Sequence, residues 1–210
     1  MHPSSIENMK YFIKKYVHGE ISVLDVGSQE VPGQENSSYR KLFPESVCYI
    51  GCDMVSGNNV DIVLKSPYHW KNIRPNSYDY CVSGQMLEHV EFPWLTFLEI
   101  AHVLKHGGIC CVIAPSGGKM HNYPLDCYRY YPDGMVALAQ YAHLEVLEVF
   151  TNYDEDLYPY MDKEWKDTVL IARKSESWIN NCKMEIKRIL LHLVSPKSGR
   201  MRKTLNPIGF

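Results

Sequence analysis

Two aspartates stand where short apolar runs give way to loops, and both are placed to do chemistry. In ISVLDVGSQEVPG, Asp25 lies two residues before Gly27, an acid beside a residue whose missing Cβ lets the backbone pass close to a ligand. In VCYIGCD, Asp53 ends a second apolar run, where a carboxylate can accept two hydrogen bonds from ribose hydroxyls or else cap a turn. The first loop is no dinucleotide fingerprint, because Gln29 and Pro32 occupy places where GxGxxG needs glycine or freedom, and it lacks the lysine of a P-loop. Farther along, APSGGKMHNYPLDCYRYYPDGM gathers His121, Tyr123, Asp126, Tyr128 and Arg129. Such a loop can stack on a sugar or another planar molecule and bind its hydroxyls; alternatively its tyrosines pack on a sheet edge and Arg129 pairs with Asp126. The spacing of His121, Asp126 and Cys127 is too irregular to make a convincing metal site, so no metal is expected.

The elements that must hold these residues alternate regularly. Ser4 and Glu7 match a capping box, and Ile6, Met9, Phe12, Ile13 and Val17 recur at helical spacing, which predicts a first helix running to about His18. Strands are expected over 21–26, 47–52, 60–64, 78–83, 109–114, 144–150 and 168–173. Helices are expected over 93–104, where Gly107 and Gly108 stop the chain, over 132–142 and over 178–194, with a short helical stretch over 39–43. This alternation implies a doubly wound α/β fold with a mostly parallel sheet, whose ligands bind at the carboxyl ends of the strands where the strand order reverses.

The chain of 210 residues is 45% hydrophobic, enough for one substantial core, and its formal net charge of -2 creates no global field for a polyanion. No signal peptide and no membrane-spanning run is visible, so a soluble, cytoplasmic protein is expected. The seven cysteines form no CxxC pair and read as reduced thiols, mostly in the core. Residues 175–210 stand apart as an amphipathic helix and a polar tail. The helix is basic on one side and apolar at Met184, Ile186, Ile189, Leu190, Leu193 and Val194. Such a face packs on its own domain, on a second copy in a homodimer, or peripherally on an anionic membrane.

VLDVGSQEVPG, YIGCD, YDYCVSGQMLEHVEFPW and LKHGGICCVIAPSGG, in that order and at these separations, resemble the class I S-adenosylmethionine-dependent methyltransferases. The most specific part is LEHV after the fourth strand followed by LKHGG before the fifth. The resemblance spans 21–174 and implies a Rossmann-like methyltransferase fold of seven strands, WKDTVLIARK being the antiparallel last strand. It further implies that Gly27 and Ser28 pass under the methionyl part of the cofactor, with Asp25 near its ammonium group. Asp53, followed by Met54, holds the ribose; Leu64 lines the adenine; Ser83, Gly84 and Gln85 close over the cofactor. Arg40 either reaches the methionyl carboxylate or is an exposed helix arginine. Gln29 departs from the pattern, standing where many members have a second glycine.

In such proteins the sulfonium is already an activated leaving group, so the protein must chiefly align an acceptor with the methyl and exclude water, and no metal is required. A hydroxyl acceptor also needs its proton removed. His89 is the first candidate base and His121 the second, although His89 can equally cap the turn; Glu88 is expected to orient the loop. Tyr123, Asp126 and Arg129 are the candidate acceptor-binding residues, and the leading acceptor class is a hydroxyl of a sugar, glycan precursor or secondary metabolite. A nucleic-acid methyltransferase would show an NPPY-like tetrapeptide where SGQM stands, and nucleic acid is not expected as a partner. A non-catalytic module with this fold is the alternative, opposed by the intact Asp25, Gly27 and Asp53.

Overall fold

Seven strands and four helices alternate along the chain in the computed structural model, which describes residues 3–19, 21–31, 38–45, 47–151 and 164–196. The strands are β1 (Ser22–Val26), β2 (Cys48–Asp53), β3 (Ile62–Val63), β4 (Tyr78–Gly84), β5 (Leu104–Pro115), β6 (Leu144–Thr151) and β7 (Asp167–Lys174). The helices are α1 (Pro3–Tyr16), α2 (Pro93–Val103), α3 (Pro132–Tyr141) and α4 (Trp178–Val194), with 3-10 turns at Tyr39–Leu42 and Leu87–His89. They form one sheet in the order β3-β2-β1-β4-β5-β7-β6. The pairs among β1 to β5 are parallel, as the alternation of elements predicts, whereas β7 runs antiparallel to both β5 and β6, as the family resemblance implies for the last strand. The order reverses between β1 and β4, which opens a crevice at their carboxyl ends.

Side chains alternate across each strand, and the two faces bury two cores. Leu24, Val26, Cys81, Cys110, Val112, Leu170 and Ala172 face α2 and α3. Val23, Tyr49, Tyr80, Val82, Cys111, Ile113, Val169 and Ile171 meet Met9 and Phe12 of α1 on the other side. The cysteines of the central strands are buried free thiols, as expected.

Three local expectations need correction. Ser4 does not cap α1: it lies in the first turn and donates to Asp167 Oδ2 at 2.7 Å, while Glu7 pairs with Lys10, and the helix ends at Tyr16. The third strand shrinks to Ile62–Val63, an edge that pairs only with the end of β2. Gly107 and Gly108 lie within β5 rather than ending α2; Tyr78 pairs with Leu104 and Tyr80 with Ile109, so a register shift absorbs the intervening residues.

α4 attaches by its polar side. Arg188 Nη1 and His192 Nε2 each lie 3.0 Å from Glu99 Oε1 of α2, and His102 of α2 bonds Glu185. Of its apolar residues only Met184 is buried, whereas Ile186, Ile189, Leu190, Leu193 and Val194 are each more than half exposed. Most of the tail, 197–210, lies outside the described residues. Among the described residues, no helix is long and apolar enough to cross a membrane.

Candidate functional site

A cavity of about 1130 Å³ opens at the carboxyl ends of β1, β2 and β4, larger than a pocket for one drug-sized molecule. One end is built by β1 and β2. Gly27 has φ +79°, and a Cβ there would sit 2.6 Å from the side chain of Met86, so the close turn requires glycine. The amides of Gly27 and Ser28 both donate to Cys52 O, at 2.9 and 3.2 Å, which draws the first loop onto the end of β2. That contact brings Asp53 beside Gln29, whose amide donates to Oδ2 at 3.2 Å, while the amide of Val55 donates to Oδ1 at 3.2 Å. The backbone thus anchors the carboxylate and leaves it acceptor capacity for a ligand. Burial raises the carboxyl's pKa, and the backbone N–H bonds oppose that shift. Met54, Val55, Leu64 and Trp70 supply an apolar wall next to Asp53.

At the opposite end the chain after β5 folds back over the Leu87–His89 turn. The amides of Cys127 and Tyr128 donate to Glu88 O at 2.7 and 3.3 Å, and the Tyr130 hydroxyl donates to Leu87 O at 3.1 Å. This tether sets the His121 ring edge-on to His89, with centroids 4.9 Å apart, and against Trp165 at 4.7 Å. His89 Nδ1 lies 2.5 Å from Leu125 O, so it carries the proton and Nε2 keeps its lone pair. Burial, the largest influence on His89, lowers its pKa, and the imidazole is neutral at pH 7. Glu88 is 1% exposed, its Oε2 has no hydrogen-bond partner, and burial pushes its carboxyl up to about 8. His89 Nε2 lies 3.6 Å from Glu88 Oε1.

The cavity brings together Gly27, Ser28, Asp53, Met54, Leu64, Gly84, Gln85, His89, His121 and Tyr123. Four other candidates lie behind its wall. Asp25 falls on the α1 face of β1, where it accepts from the Tyr49 hydroxyl at 2.7 Å. Ser83 donates to Val26 O at 2.8 Å, joining the ends of β1 and β4. Asp126 accepts from the His121 amide at 2.7 Å and from Arg129, so both support the loop; burial raises the Asp126 pKa, but Arg129 and the amide bring it below the usual carboxylate range. Arg40 is committed to Asp61, Asn59 and the Tyr49 carbonyl beside a separate cavity of about 360 Å³. No sequence motif points to Trp165, which lines the cavity beside His121. Gln29 was legible only as a departure, although its amide helps set Asp53.

These residues fit an adenosyl cofactor: a turn no Cβ could enter, a carboxylate with spare lone pairs, and an apolar wall beside it. The family model of a methyltransferase domain matches residues 48–112. A methyltransferase structure from Bacillus halodurans is 13% identical, with TM-score 0.58, and the match covers 81% of this chain and 98% of that one. An S-adenosylmethionine-dependent methyltransferase of Methanosarcina mazei is 13% identical, with TM-score 0.60 and coverage of 79% and 98%. The 1,6-didemethyltoxoflavin-N1-methyltransferase of Burkholderia thailandensis, solved with 1,6-didemethyltoxoflavin and S-adenosylhomocysteine, is 13% identical, with TM-score 0.62 and coverage of 81% and 78%. No curated protein matches the sequence significantly. The domain match lies on β2 to β5, and the likeness to these solved structures shows that the chain has a methyltransferase-like α/β fold.

Proposed function

We propose that this chain is an S-adenosylmethionine-dependent methyltransferase that moves a methyl group to a hydroxyl of a small or medium-sized acceptor, with a sugar or a hydroxylated metabolite as the leading class. Residues 1–174 are the catalytic unit in this reading, and 175–210 an appended helix and tail. The observation that carries it is the continuity of one cavity from Asp53 and Gly27 to His89, His121 and Tyr123. Its volume of about 1130 Å³ accommodates an acceptor as well as a cofactor.

S-adenosylmethionine supplies an activated methyl, so the chain's residues have three tasks. Asp53 accepts the two ribose hydroxyls, while the Gly27 turn gives the cofactor's amino-acid end its close approach. His121, Tyr123 and Trp165 offer rings that can flank a planar acceptor or the apolar face of a sugar. His89, neutral and with Nε2 free, takes the acceptor's hydroxyl proton as the new carbon–oxygen bond forms and the carbon–sulfur bond breaks. The half-exposed Tyr123 and His121 leave this end open to an incoming acceptor.

The test is transfer of a labelled methyl from S-adenosylmethionine into a panel of sugars, phosphorylated sugars, phenols and amines. Label in hydroxyl acceptors supports the reading; label confined to amines or nucleic acid would replace the acceptor class.

A further inference from the structure

Three donor groups meet at the acceptor end in a way that proton transfer alone does not require. A carboxylate oxygen of Glu88 and one ring nitrogen each of His89 and His121 all lie within 4.8 Å of one another. They come from two segments, the turn after β4 and the loop after β5, held together by the amides on Glu88 O. Glu88 is buried to 1% exposure, and its Oε2 has no hydrogen-bond partner, which is costly unless something occupies it. It lines the same cavity as both histidines.

The histidine tautomers also suit a cation. A metal-binding imidazole usually donates its other N–H to a carbonyl or carboxylate, which fixes the ring and leaves a lone pair for the ion. His89 Nδ1 does this to Leu125 O at 2.5 Å. His121 Nδ1 lies 3.3 Å from Lys119 O and 3.6 Å from Asp126 Oδ2. The one donor near it, Arg129 Nη2 at 3.5 Å, is already engaged by Lys119 O at 2.7 Å and Asp126 Oδ2 at 3.0 Å. Both Nε2 atoms are therefore available.

We propose that Glu88, His89 and His121 form a binding site for a divalent first-row metal ion of zinc type at the acceptor end of the cavity. Two imidazoles and one carboxylate are a donor set such ions favour, and three protein ligands leave positions open for an exogenous oxygen. Around a tetrahedral ion with bonds of about 2.1 Å, neighbouring ligand atoms lie about 3.4 Å apart. The Glu88–His89 pair at 3.6 Å is already close to that spacing. The more exposed His121 ring supplies the remaining closure. The inference rests on the proposed function's assignment of this end to the acceptor, and in the metal-loaded protein the ion takes over the activating role that His89 has as a base without it. An acceptor hydroxyl bound to the ion becomes more acidic. Its proton then passes to water, because the ion occupies the Nε2 lone pair of His89.

The experiment is calorimetric titration of the chelator-treated full chain with Zn(II), repeated with Co(II) to follow visible absorption. S-adenosylhomocysteine is titrated in parallel. Cys48→Ser/Cys182→Ser serves as the background, because both thiols are exposed. One equivalent of metal per chain is expected, with affinity lowered in Glu88→Gln and in His121→Ala by more than the roughly 10- to 100-fold that loss of an outer partner costs. S-adenosylhomocysteine should bind with unchanged affinity in His121→Ala. No metal binding, or binding equally tight in both variants, overturns the site even where S-adenosylhomocysteine binds. Failure of S-adenosylhomocysteine to bind strikes the cofactor reading itself and removes the proposed role of the ion.

Discussion

Tyr49 donates its hydroxyl to Asp25 at 2.7 Å on the face of β1 turned away from the cavity. The acid expected beside the cofactor is thus a buried structural group, and burial raises its pKa from 3.8 to about 7, against the pull of Tyr49. The unfolded chain gives up this proton near pH 4, whereas the folded chain holds it to about 7. Across that window the folded state binds more protons, so this residue's contribution to stability falls as pH rises and is level above pH 7. Asp25→Asn should remove the loss, stabilising the protein relative to wild type by about 1 kcal/mol or more at pH 8 compared with pH 5. Urea denaturation at the two pH values measures it, and an unchanged difference would contradict the assignment.

Gly27→Ala should cost both stability and cofactor affinity. The new methyl would meet Met86 at 2.6 Å in a backbone with φ +79°, a penalty of about 1–3 kcal/mol. Thermal melts with and without S-adenosylhomocysteine separate the two effects; a variant with wild-type stability and binding would show that the turn tolerates a side chain.

His89→Ala should lower turnover by roughly 100-fold or more while leaving S-adenosylhomocysteine binding little changed. Single-turnover transfer measured beside calorimetry checks both halves. Wild-type turnover would confine His89 to its bond with Leu125 O.

Glu99 anchors α4 through Arg188 and also accepts the Trp70 amide at 2.7 Å, next to the apolar wall of the cavity. Glu99→Gln leaves Arg188 with Glu185 as its remaining carboxylate, at 3.0 Å, and should cost about 1–3 kcal/mol. Denaturation reads the loss; a change under about 0.5 kcal/mol would mean that α4 is held by something else.

Strands and helices were legible because apolar runs and the helical period survive in the local sequence. Asp53 and Gly27 stand out from their places at strand ends and Leu64 from the family resemblance, and all three line the cavity. Side-chain direction was harder: Asp25 looks correctly placed along the chain, but the two-residue period of β1 turns it to the other face from Leu24 and Val26. Trp165 reaches His121 from the segment before β7, a meeting that no local spacing encodes. The apolar stripe of α4 resembles a packing face, yet buried Glu99 selects the helix's polar side. Arg40 has the charge for a carboxylate, but Asp61 already takes it.

The central claim is that Asp53 and the Gly27 turn hold an adenosyl cofactor. Calorimetric titration with S-adenosylhomocysteine tests it most directly: one site per chain is expected, weakened roughly 10- to 100-fold in Asp53→Ala through loss of about 1.5–3 kcal/mol of charge-assisted hydrogen bonding. No binding by the wild-type chain, or equal binding by the variant, would contradict it.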